Sequence, residues 1–175
     1  MTANLHELIP AERIRARVAE LGAQISADYQ GEPLLLVGVL KGAFMFLADL
    51  ARSISLDTRI DFVRLSSYGM KAAPQGLTFS MDVSLPVAGA HLLVVEDIID
   101  TGRSMAFLLE RLRALGAASV RCCTLLDKTS RREVEITADY AGFQVHDGFL
   151  VGYGLDYAEG YRGLAGIFEL KVDAQ

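Results

Sequence analysis

Two kinds of hydrophobic pattern alternate along the first part of the chain. Residues 11–29 place apolar side chains at helical spacing with Arg and Glu between them, which predicts an amphipathic surface helix. Residues 33–40 form an unbroken apolar run, which predicts a buried strand. Residues 41–54 return to helical spacing. The apolar positions of the first helix are Ile14, Val18, Leu21 and Ile25.

The same strand-to-helix unit recurs in the middle of the chain. A second apolar run covers residues 91–97, and helical spacing follows over 101–116, with Gly116 as the stop signal. Residues 119–128 predict a third strand of the same apolar kind. Strands that are apolar on both faces and alternate with helices are typical of a parallel sheet covered on both sides.

Later segments are less regular. Residues 149–157 and 164–170 predict two further strands, and 69–86 is expected to be a long irregular piece. The fold class predicted is α/β, with a mainly parallel twisted sheet flanked by helices. In such sheets the ligand crevice lies beyond the carboxyl ends of the strands, where the sequences LKG, EDIID and LDK all fall.

Length and composition limit the kind of protein. At 175 residues, with 51% apolar and 22% charged residues, one compact domain is expected. The net charge of −5 argues against broad nucleic-acid binding. The sequence contains neither an apolar run long enough for a membrane span nor a signal-peptide pattern, so a cytoplasmic protein with no membrane partner is expected.

The cysteines and histidines suggest no metal centre. Cys122 and Cys123 are adjacent within an apolar run, a spacing that suits neither a disulfide framework nor a metal site, so free buried thiols are predicted. His6, His91 and His146 have no ligand spacing.

Three carboxylates crowd the end of the second apolar run. Glu96 and Asp97 end the strand and Asp100 precedes a helix, an arrangement that is costly without a cation or hydroxyl partner. The turn 100–104 is small and hydroxylated, and its position at a helix N-terminus makes it a candidate phosphate cradle. The alternative is that Asp100 or Thr101 simply caps the helix.

The adjacent carboxylates favour one interpretation of the turn. Neither a Walker loop nor a dinucleotide fingerprint is present. Glu96 and Asp97 could accept hydrogen bonds from a vicinal diol or lie close to Mg²⁺, which prefers oxygen ligands. A phosphate turn beside such a pair suggests a ribose 5-phosphate.

The stretch VVEDIIDTGRSM resembles the phosphoribosyl-diphosphate signature of the type I phosphoribosyltransferases, specifically of the hypoxanthine (guanine) phosphoribosyltransferase family. Four other motifs resemble that family in the same order. They are the diphosphate loop VGVLKGAFMFLADL, the mobile lid VRLSSYG, the purine-contacting LLDKTSRR and the base-covering, metal-binding FLVGYGLDYAEGYRGL. The likeness covers nearly the whole chain.

The resemblance implies a fold and an activity. The fold would be a single type I phosphoribosyltransferase domain over 1–175, with a small hood from parts of 1–30 and 140–175 and a mobile lid at about 66–82. The activity would be purine salvage. The 5-phosphoribosyl group would pass from its 1-diphosphate to hypoxanthine or guanine with Mg²⁺, in a homodimer or homotetramer that binds small molecules.

Residue roles follow from the matched motifs. Glu96 and Asp97 would hold the ribose hydroxyls and a metal, and Asp100 would be the general base that accepts the purine N7 proton. The 5-phosphate would be held by Thr101, Gly102, Arg103 and Ser104. Lys41 and Gly42 would form the diphosphate loop, in which the family has a cis peptide between Leu40 and Lys41.

The remaining roles concern the base, the second metal and the lid. Lys128 would donate to the purine 6-oxygen and Phe149 would stack on the base. Leu150 would offer the base backbone hydrogen bonds, and Leu155 would line its pocket. Asp156 would bind a second Mg²⁺. Arg162 would contact the diphosphate, and Arg132 would help to position it. Ser67 and Tyr68 would form the lid.

Two departures and two rival functions stand beside this resemblance. The segment 70–89 fits the family's lid-to-strand region poorly, and Thr129 replaces an expected proline. A nucleotide-sensing regulator would need a basic face or an added DNA-binding domain. A Mg²⁺-dependent phosphohydrolase would use the carboxylates but not Lys128, Phe149 or the LKG loop.

Overall fold

The computed structural model describes residues 4–67 and 77–171. These residues form nine strands and three helices. The strands are β1 (Asn4–Ile9), β2 (Leu34–Val39), β3 (Thr58–Ser67), β4 (Leu77–Met81), β5 (His91–Ile99), β6 (Ser119–Lys128), β7 (Tyr140–Val145), β8 (Leu150–Val151) and β9 (Ile167–Lys171). The helices are α1 (Ala11–Asp28), α2 (Phe44–Ser53) and α3 (Arg103–Ala114).

The centre of the fold is a six-stranded sheet in the order β4-β3-β2-β5-β6-β7. Every neighbouring pair is parallel except β3 and β4. Strand β2 shows why both faces are covered: Leu34 and Leu36 join the core beneath α1 and α2, whereas Leu35 and Val37 join the core beneath α3. The predicted α/β class with a mainly parallel sheet is confirmed.

A second, three-stranded sheet in the order β1-β9-β8 is built from the two terminal segments, and we call it the hood sheet. Both of its strand pairs are antiparallel. Ile9, Leu150 and Ile167 are buried in the same core as α1 and α2. The hood sheet is therefore packed onto the end of the central layers.

Two predictions of local structure are wrong. Residues 149–157 do not form one strand: pairing ends after Val151, because Gly152 and Gly154 take φ values of +99° and +104° and turn the chain. The segment 69–86 is not wholly irregular either, since Leu77–Met81 pairs antiparallel with β3. This edge strand is half exposed and carries Thr and Ser, so it lacks the apolar signal of the interior strands.

Membrane insertion finds no support in the helices. Among residues 4–67 and 77–171, none of the helices combines the length and apolarity needed to cross a membrane. The longest, α1, has 18 residues, with one face buried and the opposite face exposed.

The cysteines are free and buried, as predicted. Cys122 belongs to the core beneath α3 and Cys123 to the core beneath α1 and α2, so the two side chains point to opposite faces of β6. Burial raises the pKa of Cys122 to about 11, and burial also raises the pKa of Cys123.

We expect neither thiol to react with iodoacetamide in the folded protein at about pH 8, because the thiolate is the nucleophile and little of it forms below the raised pKa. Mass spectrometry should show two modifications after unfolding in urea and none before. As the pH rises towards 11, Cys122 should react first, since its pKa is the lower of the two. Rapid double labelling of the native chain at about pH 8 would contradict the buried placement.

Candidate active site

Three neighbouring strands of the central sheet carry polar residues at their carboxyl ends. Lys41 follows β2, Glu96 and Asp97 lie near the end of β5, and Lys128 ends β6. The order β2-β5-β6 places these ends side by side, because the three strands are parallel. The edge predicted to bind ligand is therefore the edge where the candidate residues meet.

The two adjacent carboxylates at the end of β5 sit in a poorly solvated place. Asp97 is only 9% exposed. Burial raises the pKa of Glu96, and the neighbouring charge of Asp97 raises it further; burial also raises the pKa of Asp97. The carboxylates accept hydrogen bonds from the backbone N–H groups of Asp97 and Ile98. Hydrogen bonds from diol hydroxyls, or a hydrated cation, would offset the repulsion between the two carboxylates.

The turn after β5 leads into α3 through a glycine that its geometry requires. Gly102 has φ +83°, and a Cβ there would lie 2.7 Å from Cγ2 of Ile136. Helix α3 begins at Arg103, and within the described part of the chain no side chain caps its N-terminus. Thr101 Oγ1 reaches the Arg103 N–H only at 3.5 Å. Thr101 therefore offers only a long, weak cap, and Gly102, Ser104 and Met105 line a cleft at the helix start.

This cleft has a volume of about 190 Å³ and runs from Glu96 to the start of α3. Asp100 lines it: Oδ2 lies 3.3 Å from Nη1 of Arg131, while Oδ1 is buried without a hydrogen-bond partner among the described residues. The lining comprises Glu96, Ile98, Ile99, Asp100, Thr101, Gly102, Ser104 and Met105. Arg103 instead pairs with Glu133: Nε of Arg103 lies 2.6 Å from Oε2 of Glu133.

The end of β6 places a buried cation beside the hood. Lys128 is 6% exposed, and its Nζ donates to the carbonyl of Gly148 at 2.9 Å. An ammonium has three N–H donors, so two remain for a ligand. Phe149 is 49% exposed and meets Tyr157 edge to face, with ring centroids 5.3 Å apart. An exposed aromatic ring beside a buried donor suits a flat, polar-edged ligand.

The loop after β2 is packed tightly against this site. The Leu40–Lys41 peptide is cis, as the resemblance implied. A Cβ on Gly42 would lie 1.7 Å from Oδ2 of Asp97. A Cβ on Gly154, whose φ is +104°, would lie 2.0 Å from the carbonyl oxygen of Gly42. The loop is thus held between a candidate carboxylate and the segment that carries Asp156.

Replacing Gly42 by Ala should move the Asp97 carboxylate, because no space exists for the added methyl group. We expect donor affinity to fall by up to about 10²-fold. Isothermal titration with phosphoribosyl diphosphate measures this, and Gly163→Ala is the matched control, since a Cβ at Gly163 meets nothing within 4 Å. Equal affinities for the two variants would contradict the close packing.

Four charged residues form a network beside the loop. Arg162 pairs with Asp156 at 2.7 Å and donates to the carbonyl of Gly154 at 2.8 Å. Glu159 lies 2.9 Å from Nζ of Lys41 and 3.3 Å from Arg162. A hydrogen bond from Lys41, and then one from Arg162, lower the pKa of Glu159. Sequence reasoning gave Glu159 no role, although the residue lies within the motif FLVGYGLDYAEGYRGL.

Arg132 joins the ends of two strands beside the site. Its guanidinium donates to the carbonyls of Asp100, Ile99, Lys128 and Ile136 and to the carboxylate of Asp127. Arg132 thus ties the end of β5 to the end of β6, and its help in positioning the diphosphate stays a prediction.

Four candidate residues remain to be placed: Leu150, Leu155, Ser67 and Tyr68. Leu150, in β8, and Leu155 are buried, 7% and 8% exposed. The backbone of Ser67 ends β3, next to β2. Tyr68 lies outside the described residues. Their proposed contacts with ligand stay predictions.

The described ranges contain no cluster of three or more His, Cys, Asp or Glu side chains that could hold a metal. Mg²⁺ prefers one or two carboxylates, several waters and substrate phosphate oxygens. Glu96 and Asp97 offer such a pair, with pKa values raised by burial. Asp156 offers a third carboxylate, which here pairs with Arg162.

Comparisons with known proteins agree with this geometry. A family described as "Phosphoribosyl transferase domain" matches residues 5–158. A hypoxanthine-guanine phosphoribosyltransferase of Bacillus subtilis is 46% identical over 165 residues, covering 94% of this chain and 92% of its own. A hypoxanthine phosphoribosyltransferase of Escherichia coli is 42% identical over 167 residues, covering 94% of both chains.

A solved structure gives the same result for the fold. The crystal structure of a hypoxanthine-guanine phosphoribosyltransferase from Bacillus anthracis superposes with a TM-score of 0.90 at 40% identity. The match covers 97% of this chain and all of that one.

Proposed function

This chain belongs to the hypoxanthine-guanine phosphoribosyltransferase family, and we propose that it carries out the family's transfer at the carboxyl edge of β2, β5 and β6. The enzyme serves purine salvage. It transfers the 5-phosphoribosyl group of 5-phosphoribosyl 1-diphosphate to hypoxanthine, guanine or both, and yields IMP or GMP and diphosphate.

The sugar phosphate half of the donor would bind at the end of β5. The N–H groups of Thr101, Gly102, Arg103 and Ser104 would receive the 5-phosphate, since unpaired amides at a helix N-terminus favour an anion. Glu96 and Asp97 would accept hydrogen bonds from the ribose hydroxyls. The observation that carries this assignment is a single cleft that Glu96 and Asp100 line together with Thr101, Gly102 and Ser104 at the start of α3.

The purine would bind between β6 and the hood. Phe149 would stack on the base, with Leu150 and Leu155 around it. Lys128 has two N–H donors left for the 6-oxygen, and it has no acceptor for the 6-amino group of adenine. Asp100, which lines the cleft, would accept the N7 proton through its carboxylate.

The departing diphosphate would lie near Lys41, Gly42 and Arg162, where a guanidinium can pair with two phosphate oxygens at once. The family generally uses Mg²⁺ with the donor. In this chain Glu96 and Asp97 would hold one Mg²⁺ and Asp156 a second, and the metal would neutralise charge that develops on the leaving group. Ser67 and Tyr68 would close over the site.

The same proposal covers the domain organisation, the partners and the cellular location. Residues 1–175 would form one domain, with the hood from parts of 1–30 and 140–175 and the lid at about 66–82. The partners would be small molecules and other copies of this chain, in a homodimer or homotetramer. Two free thiols suit a reducing compartment, so the location would be cytoplasmic.

Diphosphate release tests the function against its rivals. The protein is mixed with Mg²⁺, phosphoribosyl diphosphate and, separately, hypoxanthine, guanine, xanthine or adenine. We expect release, together with a nucleoside monophosphate, for hypoxanthine, guanine or both, and little for adenine. Release without any base would indicate a phosphohydrolase, and binding without turnover would indicate a nucleotide sensor.

A further inference from the structure

One carboxylate oxygen joins two cations that come from distant parts of the chain. Oε2 of Glu159 lies 2.9 Å from Nζ of Lys41 and 3.3 Å from Nη2 of Arg162. Lys41 follows β2, whereas Arg162 belongs to the loop before β9. A single oxygen of Glu159 thus receives donors from both residues.

The backbone around Glu159 holds the carboxylate in this place. Ala158, Glu159 and Tyr161 have φ values of +48°, +65° and +68°, which non-glycine residues rarely adopt. Tyr157 and Gly160 exchange backbone hydrogen bonds across the turn, and the N–H of Glu159 donates to Oδ2 of Asp156 at 2.9 Å. These contacts fix an otherwise unfavourable turn, so the side chain starts from a defined position.

Lys41 and Arg162 are the two cations assigned to the diphosphate, and the inference rests on that proposed function. A diphosphate oxygen would offer these donors the same chemistry as Oε2 of Glu159: a charged acceptor shared by an ammonium and a guanidinium. Since Lys41 and Glu159 have side chains that are 46% and 65% exposed, solvent and ions can reach the pair and exchange is feasible.

We propose that Glu159 is a built-in competitor for the diphosphate group, which occupies Lys41 and Arg162 between turnovers and returns to them as product diphosphate leaves. Binding of the donor then requires the two cations to exchange one anionic partner for another. The carboxylate lowers the affinity for diphosphate and speeds its release.

Two variants remove the competitor. Glu159→Gln keeps the shape but removes the charge, and Glu159→Gly removes the side chain at a position whose φ of +65° suits glycine. Glu20→Gln is the matched control: Glu20 pairs with Arg17 at 2.7 Å in α1 and is 64% exposed, close to the exposure of Glu159.

Isothermal titration with inorganic diphosphate and Mg²⁺ measures the effect without any turnover. Exposed ion pairs are weak, so we expect Glu159→Gln to bind diphosphate about 2- to 5-fold more tightly than the wild type, and Glu20→Gln to bind it equally. Stopped-flow displacement should show slower dissociation of diphosphate from both Glu159 variants.

The change in diphosphate affinity caused by Glu159→Gln decides whether the inference stands. Weaker or unchanged binding by Glu159→Gln would overturn the inference, because the carboxylate would then be arranging the cations, helping to hold the metal or doing neither. If the wild type itself fails to bind diphosphate, the proposed function is wrong and the inference fails with it. If the wild type binds and only the predicted tightening is missing, the proposed function stands and the inference alone is lost.

Discussion

Replacing Asp100 by Asn lowers the turnover number for hypoxanthine by about 10²- to 10⁴-fold, if Asp100 is the general base. The amide has nearly the same shape as the carboxylate but cannot accept the N7 proton of the purine. Donor binding should change little, because the phosphate is assigned to backbone N–H groups and the ribose to Glu96 and Asp97. Steady-state kinetics gives the turnover number, and titration with phosphoribosyl diphosphate gives the affinity.

The control for this variant is another Asp–Arg pair on the surface. Asp82 lies 3.1 Å from Arg111, as Asp100 lies 3.3 Å from Arg131, but Asp82 is remote from the cleft. Asp82→Asn should leave turnover unchanged. If Asp100 served only to begin a helix, Asp100→Asn would keep its activity and nearly the same melting temperature, because Asn caps a helix about as well as Asp; that result would remove the assignment.

Replacing Lys128 by Met should abolish most of the preference for 6-oxopurines. Sites that depend on a hydrogen bond to the substrate can discriminate by about 10⁴-fold, and Met fills a similar buried space without a donor. We expect the catalytic efficiency with hypoxanthine to fall by about 10²-fold, the effect of losing a charged hydrogen bond. The ratio of efficiencies for hypoxanthine and adenine should move most of the way to unity.

Asp147 supplies the control for the Lys128 prediction. Its carboxylate lies 3.7 Å from Nζ of Lys128 but is 85% exposed, so the pair is screened by water. Asp147→Asn should keep both the efficiency and the base preference. A Lys128→Met variant that still rejects adenine as strongly as the wild type would show that the preference has another source.

The edge of the sheet that carries the site could be predicted because its cause is regular. Strands apolar on both faces must be parallel and covered by helices, and parallel strands put their carboxyl ends together. Lys41, Glu96 and Lys128 each lie at or near the end of such a strand, so the hydrophobic pattern predicts that they share one edge of the sheet. Their proximity also depends on the strand order β2-β5-β6, which the pattern does not give. Their roles came from the resemblance to a family.

The parts that sequence reasoning missed depend on irregular backbone or on partial burial. Strands β1 and β4 are edge strands with exposed polar residues, and neither gives a long apolar run. Glu159 sits on a turn of left-handed residues, and contacts with Lys41 across the fold determine its place. Arg132 reaches five groups on two strand ends and the following turn, which the spacing of residues in the chain does not reveal.

The most direct test of the central claim is a crystal structure with IMP or GMP bound. The account predicts phosphate oxygens within about 3 Å of the backbone N–H groups of residues 101–104, and ribose hydroxyls at similar distances from Glu96 and Asp97. A nucleotide whose phosphate lies away from the start of α3, with its sugar remote from both carboxylates, would contradict the account.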